Sequence, residues 1–269
     1  MRLFSLFSRK KRSARQHYEG ASFKRHKDAR ISSASANSNL IHAHERLLSS
    51  ARYLHDNNAT ARRAIDIITK YTAGITPHAV FAGGRQSEPH EAKLREFADS
   101  TACDPAGKQN LCAQQALIVR SMVRDGEVLV EKVIRPDYRE KGLPLPLQTR
   151  VLECDYLDKT KISVSERGNP VFMGIEFDRY GSPLFYHMYG EHPGESRSLK
   201  AMTSEARPAK EIIHVMDPER PGQIRGISRL SPVIIRLRDL DEYEDAQLVR
   251  QKIAACFVVH RQNSAYFIS

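Results

Sequence analysis

From Pro232 to Phe257 the chain runs without a glycine or an internal proline. An uninterrupted helix over that stretch is a rod of about 39 Å, at ~1.5 Å per residue. Few other segments of the sequence constrain the fold as strongly. Ser231 is suited to cap the helix and Pro232 to occupy its first position. Val233, Leu237, Leu240 and Leu248 can share one face. The middle is acidic, with Asp239, Asp241, Glu242, Glu244 and Asp245, and arginines lie on either side at Arg236, Arg238 and Arg250. A short strand at Glu211–Met216 and a turn rich in proline, glycine and arginine lead into it.

The remaining pattern changes period once. Leu40, Leu47, Leu48, Leu54, Ile65, Ile67 and Ile68 recur at helical intervals from Asn39 to Thr72. Asp56-Asn57-Asn58 interrupts that run, and Asn58 is placed to cap a second helix from Ala59. Gly74 and Pro77 end it, and Gly83-Gly84 marks a turn. Helices follow over Glu88–Ser100 and Leu111–Arg124, with a turn at Asp104–Gly107 between them. At Gly126 the period becomes that of strands: Glu127–Ile134, Leu147–Leu152, Val171–Asp178 and Leu184–Tyr189. Residues 190–209 read as a polar loop. The fold class is α+β. It has a basic tail at 1–36, a helical region at 37–125, a small antiparallel β-rich module at 126–217, the turn and long helix at 218–258, and a divergent end at 259–269.

The net charge of +10 is unevenly placed. Residues 1–30 carry +8, leaving +2 for the rest, so the folded body is close to neutral. The basic tail reads as disordered; it either contacts nucleic acid or an acidic partner through Arg9, Lys10, Lys11, Arg12 and Arg15, or is simply solvated. Four scattered cysteines with no CxxC pair fit neither a disulfide framework nor a zinc site. The apolar runs are too short to cross a bilayer, and the opening apolar stretch precedes its basic residues, the reverse of a secretory signal. No membrane partner is expected.

Catalytic patterns are incomplete. Ala106-Gly107-Lys108-Gln109 lacks the spaced glycine and the Ser/Thr of a phosphate-binding loop. Gly226-Ile227-Ser228 lacks the last glycine of a nucleophile elbow. His42 and His44 would point in different directions from one helix, and His187, His192 and His214 have no regular ligand spacing. No enzyme activity, cofactor or metal is expected.

The segment DPERPGQIRGISRLSPVIIRLRDLDEYEDAQLVRQKIAACF, Asp217–Phe257, closely resembles the lambda-type portal family of tailed bacteriophages. Further motifs of that family occur in order. They are Tyr18-Glu19-Gly20-Ala21; the helical block from Ala51-Arg52 through Asn57-Asn58 to Gly74-Ile75; Cys103-Asp104 with Gly107; and Gly126–Val130. Leu145–Leu147, Leu152-Glu153-Cys154-Asp155, Gly174–Gly181 and Glu191-His192-Pro193-Gly194 complete the series. The resemblance spans about residues 17–258.

It implies a portal-like wing of helices, a β module and a stem-type helix. It also implies a dodecameric ring at a capsid vertex and double-stranded DNA in the channel. The implied partners are the terminase, capsid, scaffold and head-completion proteins. The implied location is the virion, reached through assembly in the host cytoplasm. On this reading Arg236, Arg238, Asp239, Asp241, Glu242, Glu244, Asp245 and Arg250 face the channel or a neighbouring subunit. Family members continue further, and Arg261–Ser269 departs from the resemblance, so a truncated, non-functional prophage remnant is one alternative. A basic nucleic-acid-binding protein is another.

Overall fold

A computed structural model describes residues 33–74, 88–195 and 203–265. The basic tail and Gly83-Gly84 lie outside the described residues. The helical part opens with α1 (Ala36–Asn57) and α2 (Ala59–Thr72). Asn58 separates them as expected: its side chain accepts from Ala61 N at 2.7 Å, satisfying one of the free donors of the first turn of α2. Then come α3 (Glu88–Asp99) and α4 (Leu111–Asp125). Asn110 caps α4, and Gly126 closes it in the left-handed conformation at φ +95°, a region open to glycine at little cost.

Two antiparallel sheets follow. In the first, β1 (Glu127–Ile134) lies between β2 (Leu147–Leu152) and β8 (Ile212–Met216). The second runs in sequence order: β3 (Ser163–Val164), β4 (Pro170–Phe172), β5 (Ile175–Phe177), β6 (Pro183–Tyr189) and β7 (Ser204–Pro208). Three expectations are corrected here. Val171–Asp178 is two strands, because Met173 (φ 46°) and Gly174 (φ 86°) fold it into a tight hairpin. A periodicity count sees only a continuous apolar run there. Part of the presumed loop 190–209 is a strand: polar Ser204–Pro208 pairs with β6 through Tyr186↔Arg207 and Met188↔Glu205. Pairing rather than side-chain character places it in the sheet.

The third correction concerns the long helix. Ser231–Val233 forms a 3-10 turn with no side-chain cap, and α5 runs from Ile234 to Ala265. The helix therefore continues through most of the segment read as a divergent end. Two apolar clusters divide the molecule. Ala51, Leu54, Ala61, Ile65, Val123, Leu230 and Ile234 join the helices α1, α2 and α4 to the start of α5. Leu129, Leu157, Ile175, Tyr186, Met188 and Ile212 join the two sheets. The chain from Ile224, which packs on the sheet cluster, to Leu230, in the helical cluster, ties the two together.

Candidate functional site

The feature most unlike a closed domain is α5, so its root and its exposed length form the candidate site. The root is built on a backbone crossing. A Cβ at Gly226 would lie 2.2 Å from the carbonyl oxygen of Gly126, and a Cβ at Gly126 would lie 2.3 Å from the carbonyl carbon of Ile227. Only glycine at both positions lets the connection into α5 lie directly on the α4–β1 junction.

Charge locks this crossing. Glu127 is fully buried at the first position of β1. Its Oε1 receives Arg225 Nε at 2.7 Å and Nη2 at 2.5 Å, so two charged donors converge on one oxygen. Its Oε2 accepts from Gly226 N at 2.7 Å and meets His214 Nε2 at 2.9 Å. His44 Nε2 approaches Oε1 to 3.3 Å, close enough for attraction without hydrogen-bond alignment. Burial alone would raise the Glu127 pKa. The Arg225 guanidinium, with His214 and His44, instead holds it well below the usual carboxylate range. Arg225, 1% exposed, also donates to Met173 O at 3.1 Å, tying the root to the β4–β5 hairpin.

Beside this pair lies a half-buried layer of alternating charge. Arg52 Nη2 contacts Asp155 at 2.6 Å, Asp125 at 3.1 Å and Glu153 at 3.5 Å. Arg124 contacts Asp125 at 2.6 Å and Glu153 at 3.4 Å. Glu153, Asp155 and His192 place ligand-type atoms within 4.8 Å of one another. Arg52 and Arg124 already bind those carboxylates, so the group reads as an ion-pair brace between α1, α4 and the segment after β2. Burial pushes the thiol of neighbouring Cys154 well up, away from thiolate chemistry.

The near-motifs are accounted for. The Asp104 carboxylate accepts from the amides of Ala106, Lys108 and Gln109 at 3.0–3.1 Å, occupying the donors a phosphate would need. Ser228 is buried and its Oγ accepts from Leu230 N. His42 is exposed and His44 buried, so one helix does direct them apart. His187, His192 and His214 each meet a glutamate: Glu176, Glu153 and Glu127.

Among the described residues, the first turns of α5 carry its contacts with the body. Ile234 is buried and Leu237 packs on the helical cluster, whereas Val233, Leu240 and Leu248 are exposed. Asp241 Oδ1 accepts from Asn58 Nδ2 at 2.7 Å, and Arg238 lies over the Tyr53 ring at 5.7 Å and donates to Ser50. Those two therefore brace α5 against α1 and the α1–α2 junction. Arg236, Asp239, Glu242, Glu244, Asp245 and Arg250 are exposed. From Glu242 onward apolar side chains are exposed as well: Tyr243 at 61%, Leu248 at 53%, Val249 at 54% and Ile253 at 52%. Arg9, Lys10, Lys11, Arg12 and Arg15 lie outside the described residues. The sequence reading named Gly126, Glu127 and Gly226 only as a boundary or motif members and gave neither them nor Arg225 a role at the root of α5. The available signal was a glutamate opening the otherwise apolar run Val128–Val130.

Among the described residues, no helix is long and apolar enough to cross a membrane. These features describe an α+β body from which a long charged helix emerges as a strut. The chain belongs to the family described as phage portal protein, lambda family, which it matches over residues 23–265. That match, like α5, extends beyond the point where the resemblance had been drawn to a close. The "Probable portal protein" of Halomonas phage phiHAP-1 is 28% identical over 218 residues, covering 77% of this chain and 41% of the relative. The chain thus spans less than half the length of that relative. Among solved structures, a chain of the neck of an empty GTA particle, computed with C6 symmetry, is similar at 16% identity. Its TM-score is 0.45, with 77% of this chain and 46% of the other covered.

Proposed function

We propose that this chain acts as a subunit of a homo-oligomeric portal ring at one vertex of a phage capsid, surrounding a channel for double-stranded DNA. One observation carries this reading beyond family membership. Past its first turns α5 exposes apolar and acidic side chains together, with no covering element among the described residues. In proteins most helical stability comes from packing an apolar face against neighbours rather than from propensity. Head-to-tail contacts around a ring supply such neighbours without ending in an open filament. In this reading Leu248, Val249 and Ile253 contact the adjacent subunit. The exposed acids Asp239, Glu242, Glu244 and Asp245 face the channel or pair with Arg236 and Arg250 of the next copy.

An acidic channel wall has a physical advantage. A basic wall would neutralise phosphates and release counterions, giving tight, salt-dependent binding that resists sliding. An acidic wall repels the backbone and keeps contacts brief. The terminase supplies the work of packaging in this scheme. Scaffold, capsid and head-completion proteins contact the outer surface, and the +8 tail contacts DNA or an acidic partner. The dodecameric count comes from the family.

Negative-stain microscopy and native mass spectrometry of the purified chain test the proposal. Closed rings and a native mass of several protomers are expected. A strictly monomeric chain at high concentration would refute it.

A further inference from the structure

A groove of about 330 Å³ opens on the five-stranded sheet between β3, the turn 165–169, β6 and β7. Its polar side chains form a directed row. Behind the lining residues Ser165, Arg167 and His187, Glu176 is fully buried. Its Oε1 accepts from Asn169 Nδ2 at 2.7 Å and Ser165 Oγ at 3.0 Å. Its Oε2 meets His187 Nε2 at 3.3 Å and Arg167 Nη1 at 3.4 Å. Four donors fill its acceptor directions, and one of them, the Arg167 guanidinium, offsets its charge. With Nε2–H given to Glu176, the His187 ring is left with an acceptor at Nδ1, and Lys161 Nζ lies 3.3 Å from it. The row runs from buried carboxylate through imidazole to ammonium, with its positive end in the groove.

Donors remain unspent around that end. Among the described residues, Lys161 directs one of its three N–H bonds at His187 and keeps two free. Arg167 stacks over the Phe185 ring at 4.3 Å, which fixes the guanidinium plane. Among the described residues, its Nε and Nη2 have no hydrogen-bond acceptor. Among the described residues, Ser163 Oγ makes only a long 3.5 Å contact to Val164 O. An ammonium, a forked guanidinium and a hydroxyl on one concave wall match the oxygens of a phosphate group. The groove is roomier than a lone phosphate requires and admits an attached sugar.

We propose that this groove is a phosphate-binding site in which Lys161, Arg167 and Ser163 hold the anion and the Glu176–His187 pair positions Lys161. The phosphate is either a free phosphate or one in a DNA backbone. The site is independent of the ring reading.

Inorganic phosphate, and separately a short DNA duplex, are titrated into the isotope-labelled full chain at constant ionic strength, with backbone amides observed by NMR. Saturable shifts confined to the amides of Ser163, Val164, Ser165 and Arg167 are expected with phosphate. Lys161→Gln weakens that binding at least tenfold. Arg167→Gln weakens it similarly and serves if the first variant disturbs the remote spectrum. Glu166→Gln removes the exposed acid at the groove and tightens binding. Lys132→Gln, on the other sheet, leaves it unchanged. A duplex that moves the same amides identifies backbone phosphate as the source, whereas a duplex that leaves them still identifies free phosphate. Absence of saturable shifts with inorganic phosphate, or equal affinity in Lys161→Gln, overturns the proposal.

Discussion

Replacing Arg225 by methionine removes the guanidinium while keeping a long, flexible, apolar side chain of similar reach. Glu127 would then lose its Oε1 partners at 2.5 and 2.7 Å yet remain fully buried. Breaking a buried ion pair from one side costs about 3–5 kcal/mol, because the remaining charge is uncompensated. Loss of the bond to Met173 O adds about 1 kcal/mol. For a chain of this size, each kcal/mol shifts the melting temperature by roughly 2–4 °C, so a drop on the order of 10 °C is expected. Urea melts read by circular dichroism give the free energy.

The pH dependence carries a sign. Native Glu127 has a depressed pKa, so its stabilisation is fully present above the ordinary glutamate value and is lost as pH falls through the native one. Without Arg225, burial opposes ionisation with less to counter it, and the native pKa rises. The gap between variant and parent should therefore be widest near neutrality and narrow as pH falls through the variant's raised native pKa toward the parent's depressed one. Combining Arg225→Met with Glu127→Gln removes the orphaned charge and should recover more than half of the loss. A single variant within about 1 kcal/mol of the parent, or a double variant no better than the single, would refute the assignment of Arg225–Glu127 as the lock.

Other substitutions test the remaining elements. Gly226→Ala and Gly126→Ala should each destabilise by more than about 3 kcal/mol in chemical denaturation, since the clash is with backbone. Gly107→Ala, at a positive φ with open space around it, should cost only about 1 kcal/mol. Asn58→Ala should lose about 1–2 kcal/mol from the cap and the Asp241 bond, and Asn58→Asp should restore the cap while repelling Asp241, which thermal melts at low and high salt would separate. Serine at Leu248, Val249 and Ile253 together should leave the melting temperature nearly unchanged, because all three are half exposed, yet abolish rings in negative stain.

What the sequence made legible follows from how local each signal is. Asn58 and the Gly126 boundary are fixed by cap chemistry within a few residues, and both appear where expected. The long helix is likewise a local pattern, although the packing of Ile234 and Leu237 sets its start rather than the Ser231 cap. The β4–β5 hairpin was hidden because Met173-Gly174 makes its turn inside a continuous apolar run, with a non-glycine residue at positive φ. The strand β7 was hidden because its side chains are polar and its assignment comes from β6. The root of α5 was the least visible part. Glu127 and Arg225 are 98 residues apart, and a charged side chain in an isolated sequence reads as a surface residue until the fold buries it.

The shallow seat of α5 has a mechanical consequence. Its supported part ends near Asp241, and the portion from Glu242 to Ala265 extends about 36 Å beyond it. A tilt of about 5° at the seat carries the far end through roughly 3 Å, comparable to the width of a side chain. The two glycines and the Arg225–Glu127 pair thus fix an angle, and distance multiplies any error in it. Substitutions there need not unfold the body to matter, because a slightly misaimed lever would miss its neighbour while every local contact survived.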